Sequence, residues 1–172
     1  MKRMLAVLFA ALIAALTVLT GCITIETPEF DPPEDGAVDF STTDINGEPI
    51  SMDALSDKKV IMINFWESWC HPCVSEMPSI QALYEKYADR GFTVLGVYGQ
   101  SEEEEIRAAV EKLHITYPVF YVTDSLKPYQ TQYVPTTVFI DGSGRLLTAE
   151  PVVGSQSASD WESLILQYLD GE

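Results

Sequence analysis

Residues 60–78 read VIMINFWESWCHPCVSEMP, and the change of pattern inside this stretch decides the fold. Val60 to Trp66 is an apolar run without polar alternation, which fits a strand buried on both faces. Beyond Cys70 the apolar positions Met77, Ile80, Leu83, Tyr84 and Tyr87 follow a helical stripe, and Gly91 is the expected C-cap. Pro72 suits a first helical turn, where no amide hydrogen is needed. Pro78 lies inside the helix and is expected to kink it. Cys70 and Cys73 thus fall at the start of a helix that directly follows a buried strand.

The rest of the chain from residue 37 to 172 continues this alternation of strands and helices without repeat or second linker, so one α/β domain is expected. DFSTTDINGEPI reads as a hairpin around Asn46-Gly47, a two-residue turn signal, and SMDALSD as a short helical turn. FTVLGVYG and YPVFYV read as further strands. Between them, Ser101 and Glu104 form a capping-box signature for a helix reaching about Leu113, and Glu102 to Glu105 complement its dipole. DSLKPYQTQY reads as irregular or briefly helical, and TTVFIDGSGRLLTAEPVV as a hairpin turning at Asp141 to Gly144. In SDWESLILQYLD, Ser159 and Glu162 suggest a second capping box, and Trp161, Leu164, Ile165 and Tyr168 make a core stripe.

The N-terminus has a different character. Lys2 and Arg3 precede an uncharged apolar run from Leu5 to Leu19, the layout of a secretory signal over residues 1–21. The run is shorter than the ~20 apolar residues a membrane span needs. Leu19-Thr20-Gly21-Cys22 resembles the lipobox of bacterial lipoproteins, which implies cleavage before Cys22 and acylation of its thiol. The diacylglycerol that the resemblance implies on that thiol, with the usual N-acylation, would anchor where a single acyl chain does not. Residues 22–36, with three prolines and five acidic residues, then read as a tether. Removing Lys2 and Arg3 leaves eight basic residues against 26 acidic ones, so nucleic acid and anionic headgroups are not expected partners.

Three chemistries are open to Cys70-His71-Pro72-Cys73. Structural zinc needs four ligands, and besides the cysteine pair the chain offers only His71 and His114, far apart in sequence. A structural disulfide closing so short a loop removes little chain entropy. A cycling dithiol fits the context better. A thiolate at a helix start is favoured by unpaired amides and the positive dipole end, and a second thiol one turn on can resolve a mixed disulfide. On this reading Cys70 attacks from an exposed helix start and Cys73 is the buried resolving thiol. As imidazolium, His71 would favour the thiolate and raise the reduction potential; the alternative is a solvent-facing residue of little effect.

INFWESWCHPCVSEMP resembles the active-site segment of the TlpA/ResA-like thioredoxin-family oxidoreductases, in which W-x-x-W-C-x-x-C-x-x-E-M-P recurs. The resemblance spans roughly residues 37 to 155, including Val134-Pro135-Thr136-Thr137 and the FIDGSGRLL hairpin. It implies a thioredoxin-like fold: a central mixed β-sheet flanked by helices, with an N-terminal β-hairpin and a central helical insert. It also implies that Pro135 is cis and faces the cysteines, that the Val134 backbone pairs with an extended substrate, and that Glu76 lies near the site. There Glu76 could accept the Cys73 proton; the alternative is an ordinary exposed helix glutamate. The buried acid of cytoplasmic thioredoxin corresponds to Asn64, which cannot take up a proton. Trp69 and Trp66 flank the site, although core packing explains Trp66 equally well.

The expected function is that of a thiol-disulfide oxidoreductase needing no organic cofactor and no metal. It would act as a monomer on the extracytoplasmic face of a bacterial membrane, held there by lipidated Cys22. The resemblance implies disulfide-containing protein substrates, recharging by a membrane dithiol donor, and service in cytochrome c maturation or repair of oxidised proteins. Two alternatives share the fold. A peroxiredoxin-like thiol peroxidase would want a Pro-x-x-x-Thr-x-x-Cys setting, which Met62 to Trp66 do not offer. A copper-carrying lipoprotein would use both thiolates and His114, but with CxxxC rather than CxxC spacing.

Overall fold

The computed structural model describes Phe30, Pro32 and residues 37–171. The expected signal and the lipidated Cys22 lie outside the described residues, as do all of the expected tether except Phe30 and Pro32. Phe30 packs, half-buried, against the domain core. No helix among the described residues is long and apolar enough to cross a membrane.

The apolar run of the opening stretch forms β3 (Val60–Phe65), every residue of it buried. It is the middle strand of a five-stranded mixed sheet. The other members are β4 (Phe92–Tyr98), β5 (Val119–Tyr121), β6 (Thr136–Ile140) and β7 (Val152–Val153), in the order β5-β4-β3-β6-β7. β3 runs parallel to β4 and antiparallel to β6. The parallel step is bridged by the helix α1 (His71–Tyr87), as a crossover requires. Two further helices follow, α2 (Glu103–Lys112) and α3 (Ala158–Asp170).

Alternation along β3 divides the core. Val60, Met62 and Trp66 join Met77, Ile80, Trp161 and Ile165 under α1 and α3. Ile61, Ile63 and Phe65 join Phe40, Leu126 and Tyr129 on the opposite face. Asn64 shares the parity of Met62, so its side chain belongs to the α1 and α3 face. Its register partner on β6 is Thr137.

The N-terminal hairpin pairs β1 (Ser41–Thr43) with β2 (Pro49–Ser51). Its connection is wider than the two-residue turn expected. Asp44 donates its amide to the Glu48 carbonyl, and its carboxylate accepts the amides of Asn46 and Glu48, while Gly47 takes φ +85°. The hairpin docks on the sheet through the Ile45 amide, which donates to the Val119 carbonyl.

α1 continues unbroken through Pro78, then tightens into a 3-10 turn (Ala88–Arg90) that ends at left-handed Gly91, as its C-cap role demands. Both expected capping boxes are displaced. The Ser101 hydroxyl accepts from the backbone and side chain of Ser68, so α2 starts behind Glu102 with no side-chain cap. α3 is capped by Ser157, which accepts the Asp160 amide at 3.2 Å. Glu162 is drawn instead to Lys86 and Tyr87 of α1.

The last hairpin also differs from expectation. Its return arm is reduced to a bridge between Ile140 and Leu146. The Phe139 amide donates to the Thr148 hydroxyl, which displaces the strand ladder, and the next true partner of β6 is β7. The turn itself needs glycine at residue 144, where φ is +81° and a Cβ would sit 2.2 Å from the Val38 carbonyl oxygen.

Candidate active site

Cys70 is the N-cap of α1, with extended backbone (φ −81°, ψ 96°), and its sulfur accepts the Cys73 amide at 3.3 Å. The two cysteines form a disulfide with Cα atoms 5.3 Å apart. His71 and Pro72 are the first helical residues, both exposed, with Pro72 free of any amide demand.

Cys70 is less open than expected. It is only 5% exposed, against 0% for Cys73, because its side chain folds back over the first turn and the Val134 carbonyl oxygen lies 3.6 Å from its sulfur. That carbonyl belongs to the cis peptide bond between Val134 and Pro135. The loop is fixed by Thr136, whose hydroxyl donates to the Tyr133 carbonyl, and by Thr131, which accepts the Tyr133 amide. Gly154 adds a bond to the Pro135 carbonyl. Trp69, next to Cys70 in the chain, is 60% exposed, whereas Trp66 is fully buried in the core. Tyr133 presents a second exposed aromatic surface next to Val134.

Glu76 is not an exposed helix residue. It lies on α1 one turn after Cys73, only 4% exposed. Its Oε2 accepts the Gln156 amide at 3.0 Å and the Trp161 indole N–H at 3.1 Å; its Oε1 accepts only a longer bond, 3.3 Å, from Asn64 Nδ2. Burial pushes the carboxyl above its ordinary proton affinity, and the bonds from Gln156, Trp161 and Asn64 pull it back only in part. Tyr117 contributes to the same setting. Its hydroxyl is buried with no hydrogen-bond partner among the described residues, and burial together with the Glu76 charge drives its pKa well up.

Several of these residues carried no signal. Trp161 reads as core in its helical stripe, and nothing in that stripe shows that its indole N–H reaches residue 76. Gln156 acts through its backbone. Asn64 is noticed in the sequence only as the residue that replaces an acid, although its amide is what bonds the acid on α1. Glu67 was also missed. Fully buried, it accepts the amides of Gly99, Gln100 and Ser101 at 2.7 to 2.8 Å and pins the β4–α2 loop to the active-site segment. A charged residue wedged between Trp66 and Trp69 was the available hint.

Residues 33–148 match the AhpC/TSA family. The chain is 30% identical over 131 residues to the thiol-disulfide oxidoreductase ResA of Bacillus cereus, a match covering 75% of this chain and 74% of that one. It is 33% identical over 111 residues to the thioredoxin-like protein YneN of Bacillus subtilis, covering 63% and 65%. A thiol:disulfide interchange protein of the thioredoxin family from Chlorobium tepidum superposes with a TM-score of 0.70 at 27% identity, over 82% of this chain and 97% of that one. The chain belongs to the ResA-like thiol-disulfide oxidoreductases of the AhpC/TSA family.

For a thiol-disulfide oxidoreductase the arrangement is chemically complete. A sulfur at a helix N-terminus, a second one turn on, a backbone carbonyl beside the first and a buried carboxyl beyond the second occupy one pole of the sheet. His71 faces solvent there. His114, the other candidate ligand considered from sequence, is exposed in a left-handed conformation just past α2. Among the described residues no three His, Cys, Asp or Glu side chains gather in a metal-binding group. A groove of about 350 Å³ is lined by Gly99 and Gln100 from the Glu67 clamp and by Thr131 and Gln132 from the loop leading to Val134.

Proposed function

We propose that this oxidoreductase reduces disulfides of protein substrates outside the cytoplasm while tethered to a membrane through lipidated Cys22. The observation that carries the reading is the site's polarity: the Cys70 sulfur sits at the helix N-terminus beside the Val134 carbonyl, and the buried carboxyl lies behind Cys73. In the reduced protein, the Cys70 thiolate attacks one sulfur of the substrate disulfide, forming a mixed disulfide and releasing the other sulfur as a thiolate. Cys73 then loses its proton to Glu76 and attacks Cys70. The Cys70–substrate bond breaks, the Cys70–Cys73 bond forms, and two electrons have passed to the substrate.

The backbone of Val134 and the exposed rings of Trp69 and Tyr133 support an extended polypeptide as substrate, held partly by main-chain pairing. A membrane dithiol donor would reverse the sequence and restore the thiols. Oxidised cytochrome c precursors and oxidatively damaged proteins are the substrate classes in view. His71, exposed beside Cys70, is the residue through which the direction of electron flow is tuned. The protein would work as a monomer without organic cofactor or metal.

The test is to trap partners on Cys73→Ser, which leaves the Cys70 mixed disulfide unresolved. Capture of extracytoplasmic proteins through their own cysteines is the expected result. Capture by Cys70→Ser instead would reverse the roles of the two thiols. Peroxide turnover by the purified protein with no disulfide substrate present would move it to the thiol peroxidases.

A further inference from the structure

Asn64 is 1% exposed and stands between two polar side chains. Its Nδ2 donates to the Thr137 hydroxyl at 2.9 Å and to Glu76 Oε1 at 3.3 Å. Its Oδ1 is buried with no hydrogen-bond partner among the described residues. An orphaned buried acceptor is costly, roughly 1–3 kcal/mol, and a carboxamide offers a donor and an acceptor that a half-turn about Cβ–Cγ exchanges.

We infer that the Asn64 carboxamide reverses with the protonation of Glu76, donating to the carboxylate through Nδ2 and accepting from the carboxylic acid through Oδ1. The two oxygens of Glu76 differ in where a proton can sit. Oε2 faces the Gln156 amide and the Trp161 indole N–H, and neither can accept a hydrogen bond. An arriving proton therefore belongs on Oε1, where it meets the N–H of Asn64. Two donors face each other unless the amide turns. After the turn, the Oε1 hydroxyl donates to Asn64 Oδ1 and the Thr137 hydroxyl, which can act either way, donates to the same oxygen. The atom orphaned beside the carboxylate then has two partners and Nδ2 takes the unpartnered position, so the turn is driven by removal of the donor–donor clash at Oε1 rather than by any gain in the number of satisfied groups.

The titratable groups that bear on this pair are few. Tyr117, from the segment before β5, carries the buried hydroxyl that feels the Glu76 charge. The cysteine pair lies one turn back on α1, while Thr137 of β6 and Trp161 of α3 do not titrate in this range. Asn64 is thus a positioning residue: unable to hold the proton, it presents the matching face to Glu76 in either state. The inference rests on the proposed transfer of the Cys73 proton to Glu76 only for its catalytic consequence, since the amide reversal itself needs only that Glu76 titrate.

The test uses the full chain in detergent micelles, isotope-labelled and in the disulfide form so that neither Cys70 nor Cys73 titrates. Nuclear Overhauser contacts from the Asn64 Nδ2 protons to the Thr137 side chain are followed through the titration of the Glu76 carboxyl carbon. The contacts should be strong above that titration and vanish below it with the same midpoint. In Glu76→Gln the amide nitrogen takes the Oε1 position, since Oε2 faces two donors, so the contacts should be absent at every pH. Contacts that persist through the titration and in Glu76→Gln would overturn the inference. The proton-transfer reading fails separately, if Glu76→Gln resolves mixed disulfides at the wild-type rate.

Discussion

Glu67 and Glu76 lie on one segment, nine residues apart, and both are buried. Their surroundings differ in kind. Glu67 is held by three backbone amides of one loop, donors that are fixed by the chain and cannot become acceptors. Glu76 is held on one oxygen by a backbone amide and an indole, and on the other by a side chain able to turn. A carboxylate surrounded by fixed amides is a structural anion that joins two loops. With one loosely held oxygen and a proton affinity raised by burial, Glu76 is suited to take up and release a proton.

The largest test of this contrast is Glu67→Ala. It leaves three amides at Gly99 to Ser101 without their acceptor, and unfolding by denaturant should show a loss of about 3 kcal/mol. Disulfide reduction per folded molecule should stay close to wild type. Severe loss of the chemical step in protein that is still folded would erase the distinction between the two glutamates.

Glu76→Gln should behave in the opposite way. Rapid-quench resolution of a Cys70 mixed disulfide should slow by about 100-fold near neutral pH, the usual scale of general-base help, while the fold gains stability. The sign follows from burial. The folded state binds the Glu76 proton more tightly than the unfolded chain, so stability present in acid is lost as pH rises from the ordinary carboxylate range through the raised value. The glutamine variant escapes that loss. Its melting temperature should exceed that of wild type at pH 8, with the gap closing near pH 4.

Trp161→Phe is the finest of these probes. It removes one donor from Glu76 Oε2 and keeps most of the packing against Phe139. Beyond the loss of a neutral hydrogen bond to Oε2, which applies in both states, about 1 kcal/mol of further destabilisation should appear where Glu76 is ionised and disappear where it is protonated. Equal destabilisation in both ranges would assign Trp161 to packing alone.

The contrast also shows what a sequence makes visible. VIMINFW and the stripe after Cys70 announce a buried strand and an amphipathic helix because their periods are local, and Asn46-Gly47 marks its turn for the same reason. The capping boxes misled because local motifs compete with distant partners: Ser101 is engaged by Ser68, and Glu162 by Lys86 and Tyr87. Cys70, Cys73 and Glu76 are legible from spacing and family resemblance. What makes Glu76 unlike Glu67 comes from Asn64, Gln156 and Trp161, which lie 12 to 85 residues away along the chain. No local pattern encodes those meetings.

The most direct measurement of the central claim is the titration of the Glu76 carboxyl carbon by ¹³C NMR in the disulfide form of the labelled protein. Glu76 should titrate above the ordinary carboxylate range, and Glu76→Gln should remove that signal. A Glu76 carboxyl that titrates at or below the ordinary glutamate value, about 4.3, would contradict the proposal that it accepts the Cys73 proton.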